Sequence, residues 1–147
     1  MAYAKCKIWS FGEEIDDEKK RYKAMREGYV YCAVKALIDT TSNFNIISKS
    51  LVDKLDMKYN TKLDNYQKKL RDVVGYVTCL DLSFQDRLVS GSDEVLNNFM
   101  VVKNPKADLI LGLPWIWLRE TIIDVRNEKF SIYGEFIPLC NLANIES

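Results

Sequence analysis

The 147-residue chain contains no histidine. That absence removes Ser-His-Asp and Cys-His catalysis, histidine acid–base chemistry and every zinc site with an imidazole ligand. An enzyme built on this sequence has to work with carboxylates, lysines, tyrosines or cysteines. Cysteine is sparse: Cys6, Cys32, Cys79 and Cys140 are separated by 26, 47 and 61 positions. No CxxC pair and no zinc-ribbon spacing results, so neither metal nor cofactor is expected. Cys32 and Cys79 stand in apolar runs, and the thiols are read as buried and free, in a reducing compartment. Net charge is missing as well, because 21 basic and 21 acidic side chains cancel. A primary nucleic-acid binder would be basic, so that class is excluded. No stretch approaches the roughly 18 apolar residues of a membrane span. The opening MAYAKCKIWSFGEEIDDEKK has no apolar h-region, so no secretory signal is visible in it and none is expected. The expected location is intracellular, in the cytoplasm.

What is present is an ordinary globular composition, 48% hydrophobic and 29% charged, at a length that suits one domain. Residues 1–28 differ in texture, holding 13 charged side chains. Within them Ser10 and Glu13 have capping-box spacing. Acidic residues then precede basic ones, which complements a helix dipole, and Gly28 supplies a stop. The pattern predicts a charged N-terminal extension over 1–28 with a helix at 11–27, followed by a main domain at 29–140 and a tail at 141–147.

From Tyr29 the texture becomes strand-like. Both faces of 29–38 are largely apolar, as in a buried strand, and the run leads into Asp39-Thr40-Thr41-Ser42-Asn43. A short strand at 44–47 ends at Ser48, a suitable N-cap, and Leu51, Val52 and Leu55 share one face of a short helix. Residues 56–72 are polar and carry no clear period. Further strands are expected at 73–84, with Gly75 marking a bulge or close approach, and at 95–102, with a loop at Ser90-Gly91-Ser92-Asp93 between them. Next comes Leu109-Ile110-Leu111-Gly112, then a short helix at 113–120 with Pro114 in its first turn, then strands at 121–125, 130–133 and 136–139. Many short strands with one or two short helices predict a mainly β, barrel-like domain.

An aspartate at the end of a buried strand commonly just begins a turn. Here the wider pattern adds to it. ALIDTTSNFNIISKSLVDKLDM resembles the active-site segment of retropepsin-like aspartic proteases, especially those of gypsy-type retrotransposons: an apolar strand, an Asp-Thr motif, a short apolar run and a helix. Downstream, ADLILGLPWIWLRETIIDVRNEKFSI is similar to the second hallmark of that family, with Asp108, Ile110-Leu111-Gly112, Pro114-Trp115 and Ile123-Asp124. Gly112 follows Asp39 by 73 positions. The resemblance covers about residues 29–139 and implies a retropepsin-like acid-protease barrel. It implies one catalytic aspartate per chain, Asp39, which meets its twin across a homodimer. Two close carboxylates then share a proton and activate a water against a peptide bond. Thr40 would brace the two loops across the dimer.

Beyond Asp39-Thr40-Thr41 the chain has no Asp-Thr-Gly or Asp-Ser-Gly motif, which excludes a two-lobed monomeric enzyme. The third residue of the motif, glycine in the family, is Thr41 here. The family expects a glycine-bearing flap hairpin before Gly75, but residues 60–72 contain no glycine and read as a helix as readily as a hairpin. Two functions therefore stand side by side: an aspartic endopeptidase on polypeptide substrates, its activity impaired by Thr41, or an inactive domain of the same fold serving dimerisation or protein binding. The terminal strand Phe136-Ile137-Pro138-Leu139 is the expected dimer element.

Overall fold

The computed structural model describes residues 2–11, 15, 17–78, 80–89 and 95–140. Eight strands form one curled sheet in the order β4-β7-β3-β8-β2-β1-β5-β6. They are β1 (Ala2–Trp9), β2 (Tyr31–Ile38), β3 (Asn45–Ser48), β4 (Val73–Val77), β5 (Asp81–Phe84), β6 (Arg87–Val89), β7 (Phe99–Val102) and β8 (Leu109–Leu111). A smaller sheet of order β11-β10-β9 is made by β9 (Ile122–Asp124), β10 (Lys129–Ile132) and β11 (Glu135–Pro138). Three helices accompany them: α1 (Glu18–Arg26), α2 (Lys49–Lys54) and α3 (Leu113–Leu118). The mainly β expectation holds.

The expected N-terminal extension needs correction. Residues 2–9 are not helical; β1 pairs antiparallel with the whole of β2, from Ala2 opposite Ile38 to Trp9 opposite Tyr31, and then with β5. Ala4, Cys6 and Ile8 point into the core while Lys5 and Lys7 stay outside, a two-residue alternation that the charge density of 1–28 obscures. The helix is also shorter than 11–27. It begins after Asp17, whose carboxylate accepts the Lys20 amide at 2.7 Å, so Asp17 caps it. The capping box at Ser10 and Glu13 reaches outside the described residues, as do the 90–93 loop, Cys79 and the 141–147 tail. α1 rests on β6, where the Leu88 amide donates to the Tyr22 hydroxyl at 3.0 Å.

Two other strands are split. The run 73–84 becomes β4, paired with β7, and β5, paired with β1, because the chain turns a corner between opposite ends of the sheet. The run 95–102 becomes a 3₁₀ turn at Val95–Asn97 and then β7. Gly75 is where the β4–β7 register shifts, and a Cβ there would lie 2.5 Å from the Asn60 carbonyl oxygen.

The core has two compartments. The larger holds Ile8, Ala36, Leu82, Leu109, Leu111 and an aromatic group in which Phe84 meets Trp115 and Phe130 at 5.8 and 5.6 Å. The smaller, on the other face of β2, joins Leu37, Ile46, Met100, Val102 and Ile110. Over this second face lies an excursion of the chain closed at its base by Asn60 and Tyr76, which exchange backbone hydrogen bonds of 2.9 and 2.8 Å. It contains a 3₁₀ turn at Gln67–Lys69 in place of a hairpin. Tyr66 in it stacks on Phe44 at 5.1 Å, and Leu70 packs on the smaller cluster. This excursion occupies the sequence position where a flap was sought.

Candidate active site

The site is assembled where β2, β3 and β8 converge. β8 runs parallel to β2 and antiparallel to β3, so the segment before Gly112 passes directly beneath the loop that leaves β2. Asp39 is the first residue beyond β2, and its amide donates to the Leu111 carbonyl at 3.0 Å. The chain then turns tightly, with the Ser42 amide donating back to the Asp39 carbonyl at 3.2 Å. The Leu113 amide reaches the Ser42 carbonyl at 2.9 Å. Gly112 makes this stacking possible: a Cβ there would collide with the Phe44 carbonyl oxygen and stand 2.9 Å from the Ser42 oxygen, both backbone atoms.

Asp39 is buried, with 8% of its surface exposed. One oxygen, Oδ1, accepts the Thr41 amide at 2.9 Å and the Thr41 hydroxyl at 2.6 Å. The other, Oδ2, faces the ammonium of Lys106 at 2.6 Å. Burial acts to raise the carboxyl's pKa, but the hydrogen bonds from Lys106 and Thr41 together with the Lys106 charge outweigh it, and the net shift is downward. Thr41 does not adopt the left-handed backbone that would have required glycine. Its hydroxyl is tied to the carboxylate instead, so the residue expected to obstruct the loop stitches it. Thr40 is exposed beside it.

Two residues that carry this geometry went unnoticed in the sequence. Lys106 is one. Its segment is pinned by Asp108, whose backbone carbonyl and carboxylate accept the Ser48 amide and hydroxyl at 2.9 and 2.8 Å. The same Ser48 hydroxyl caps α2 by accepting the Leu51 amide at 3.1 Å. Asn45 is the other. It is 1% exposed, and its Oδ1 accepts the Gly112 and Trp115 amides, both at 3.1 Å. Its Nδ2 donates to the Leu96 and Asn98 carbonyls at 2.9 and 3.2 Å. One amide side chain thus joins β3, α3 and the turn before β7. Neither residue has a local signature, because their partners lie up to 70 positions away.

Among the thiols, burial pushes that of Cys6 far up, which leaves it unreactive; Cys32 and Cys140 are free and half-buried. No group of three metal-ligating side chains occurs among the described residues, and no described helix is long and apolar enough to cross a membrane.

No family model and no curated protein matches the chain in sequence. Among solved structures, it is similar to the crystal structure of the retroviral protease-like domain of Ddi1 from Leishmania major. The TM-score is 0.66 over 98% of this chain and 96% of that one, at 16% sequence identity. The fold is retropepsin-like, as the two sequence hallmarks implied.

Proposed function

We propose that this chain is a retropepsin-like domain that engages polypeptides as a homodimer, with aspartic endopeptidase chemistry suppressed at Asp39. The observation that carries this reading is the 2.6 Å pair between Lys106 and Asp39. An aspartic dyad needs one carboxyl to keep a proton and act as general acid while the other acts as base. An ammonium against the carboxylate favours the ionised form and works against proton sharing. The Thr41 hydroxyl on the remaining oxygen adds to this, since it too stabilises the anion.

The homodimer is supported by exposed apolar side chains on α3, which starts against the Asp39 loop, and on β11. Leu113 and Trp117 are four residues apart on α3, so they share a helix face, and both are exposed, Trp117 to 73%. β11 is an edge strand whose Phe136 is also exposed.

A fully competent peptidase is the second reading. It is favoured by the retained support of Asp39 from the Thr41 amide and by the 52% exposure of the Lys106 side chain, which leaves that lysine able to withdraw. Cleavage of an unfolded protein between about pH 4 and 7 separates the two. The suppressed domain is expected to be silent as wild type and to gain cleavage in Lys106→Ala, with that gain abolished by adding Asp39→Asn. Wild-type cleavage that Asp39→Asn removes would establish the competent peptidase. Silence of Lys106→Ala, with the dimer verified by sedimentation, would reduce the domain to binding alone.

A further inference from the structure

A second polar constellation adjoins the Asp39 site and shares Lys106 with it. In the β1–β2 ladder Lys5 stands directly opposite Lys35. Opposed Cβ atoms in such a ladder are about 4.5–5.5 Å apart, and like charges there are destabilising. Lys7 follows on the same face, its ammonium 4.5 Å from the centroid of the Tyr31 ring. These three lysines, Lys54 of α2 and Lys106 line one cavity of about 1050 Å³, against two aspartates, Asp86 and Asp108. Asp108 is occupied by Ser48, and Lys106 by Asp39. Lys5 and Lys54 form no ion pair among the described residues. In a chain of zero net charge, positive charge is thus gathered on two walls of a concave surface whose lining also includes the buried Leu51 and Ile137.

We propose that this cavity binds an acidic segment of a partner polypeptide. Ligand carboxylates would meet Lys5 on one wall and Lys54 on the other, and lysines on both walls suit several carboxylates in succession. The volume stands at the upper end of the roughly 300–1,000 Å³ typical of small-molecule pockets, which favours a stretch of peptide over a single small anion. Apolar side chains in the lining favour peptide over nucleic acid, whose recognition rests on phosphate contacts along a basic track. The proposal requires no hydrolysis at Asp39, although the cavity shares Lys106 with that site.

The test is fluorescence anisotropy of a labelled peptide alternating Glu and Leu, titrated with the full chain, beside its Gln-for-Glu counterpart and a single-stranded oligonucleotide. The acidic peptide should bind, and binding should weaken markedly between about 0.05 and 0.5 M salt. Lys5→Glu should weaken it about tenfold, equivalent to about 1.4 kcal/mol. The same substitution places opposite charges across the ladder, so the variant is expected to melt no lower than wild type. Lys54→Glu, on the other wall, should weaken binding in the same direction. The proposal is overturned by no binding of the acidic peptide, by equal binding of the Gln peptide, by preference for the oligonucleotide, or by unchanged affinity in both variants.

Discussion

Gly112→Ala is expected to destabilise the chain by about 3 kcal/mol or more, at the upper end of what overpacking costs. The added Cβ would meet the Phe44 carbonyl oxygen, the Phe44 carbonyl carbon at 2.8 Å and the Ser42 oxygen at 2.9 Å. No rotamer change relieves a backbone contact. Either α3 lifts from the loop or residues 42–44 move, and the latter displaces the turn that carries Asp39. Thermal unfolding should shift down by about 10 °C, taking roughly 2–4 °C per kcal/mol for a domain of this size. Gly134→Ala is a useful comparison. Its Cβ would meet nothing within 4 Å, but its φ of +85° penalises any side chain, so it isolates the backbone cost from the steric one. A Gly112→Ala loss no larger than the Gly134→Ala loss would mean that loop and helix are not in the close contact described.

Asn45→Ala should cost about 3–5 kcal/mol, since two buried amides and two part-buried carbonyls lose this partner and each unsatisfied group costs about 1–3 kcal/mol before water or relaxation compensates. Asn45→Asp separates hydrogen bonding from packing. It preserves shape and the acceptor for the Gly112 and Trp115 amides. It also turns a carboxylate oxygen toward the Leu96 and Asn98 carbonyls, where the amide had donated. Chemical denaturation should show Asn45→Asp at least as unstable as Asn45→Ala near neutral pH. An Asn45→Asp protein as stable as wild type would remove Asn45 from the structural role assigned to it.

Most of the scaffold of the site is legible from local sequence. The apolar run into Asp39, the Ser48 cap, the close approach at Gly75 and the Gly112–Pro114 entry into α3 are encoded in neighbouring residues, and each takes its expected place. What is not legible is non-local. β1 alternates between faces correctly, but its lysines make the segment read as a solvated extension until β2 is placed beside it. Lys106 follows a plain Asn-Pro turn, and the pairing of β8 with β2 and β3 together with the Ser48–Asp108 contact brings it to Asp39. The 60–72 excursion has no period because it is held by its ends and by Tyr66 and Leu70. Thr41 shows the limit of a motif rule: glycine is demanded by a backbone conformation that this loop does not adopt.

The central claim is that Lys106 holds Asp39 ionised, and the pH titration of the Asp39 side-chain carboxyl carbon by NMR tests it most directly. In the wild type the midpoint should fall below the ordinary aspartate value of about 3.9. In Lys106→Ala it should rise, because burial then acts with less opposition. A depressed folded-state pKa stabilises the fold above the unfolded-state value. That contribution is lost as pH falls through the folded-state value, so acid unfolding should show the same difference between the two proteins. A wild-type midpoint above the ordinary aspartate value, or one that Lys106→Ala leaves unchanged, would contradict the account.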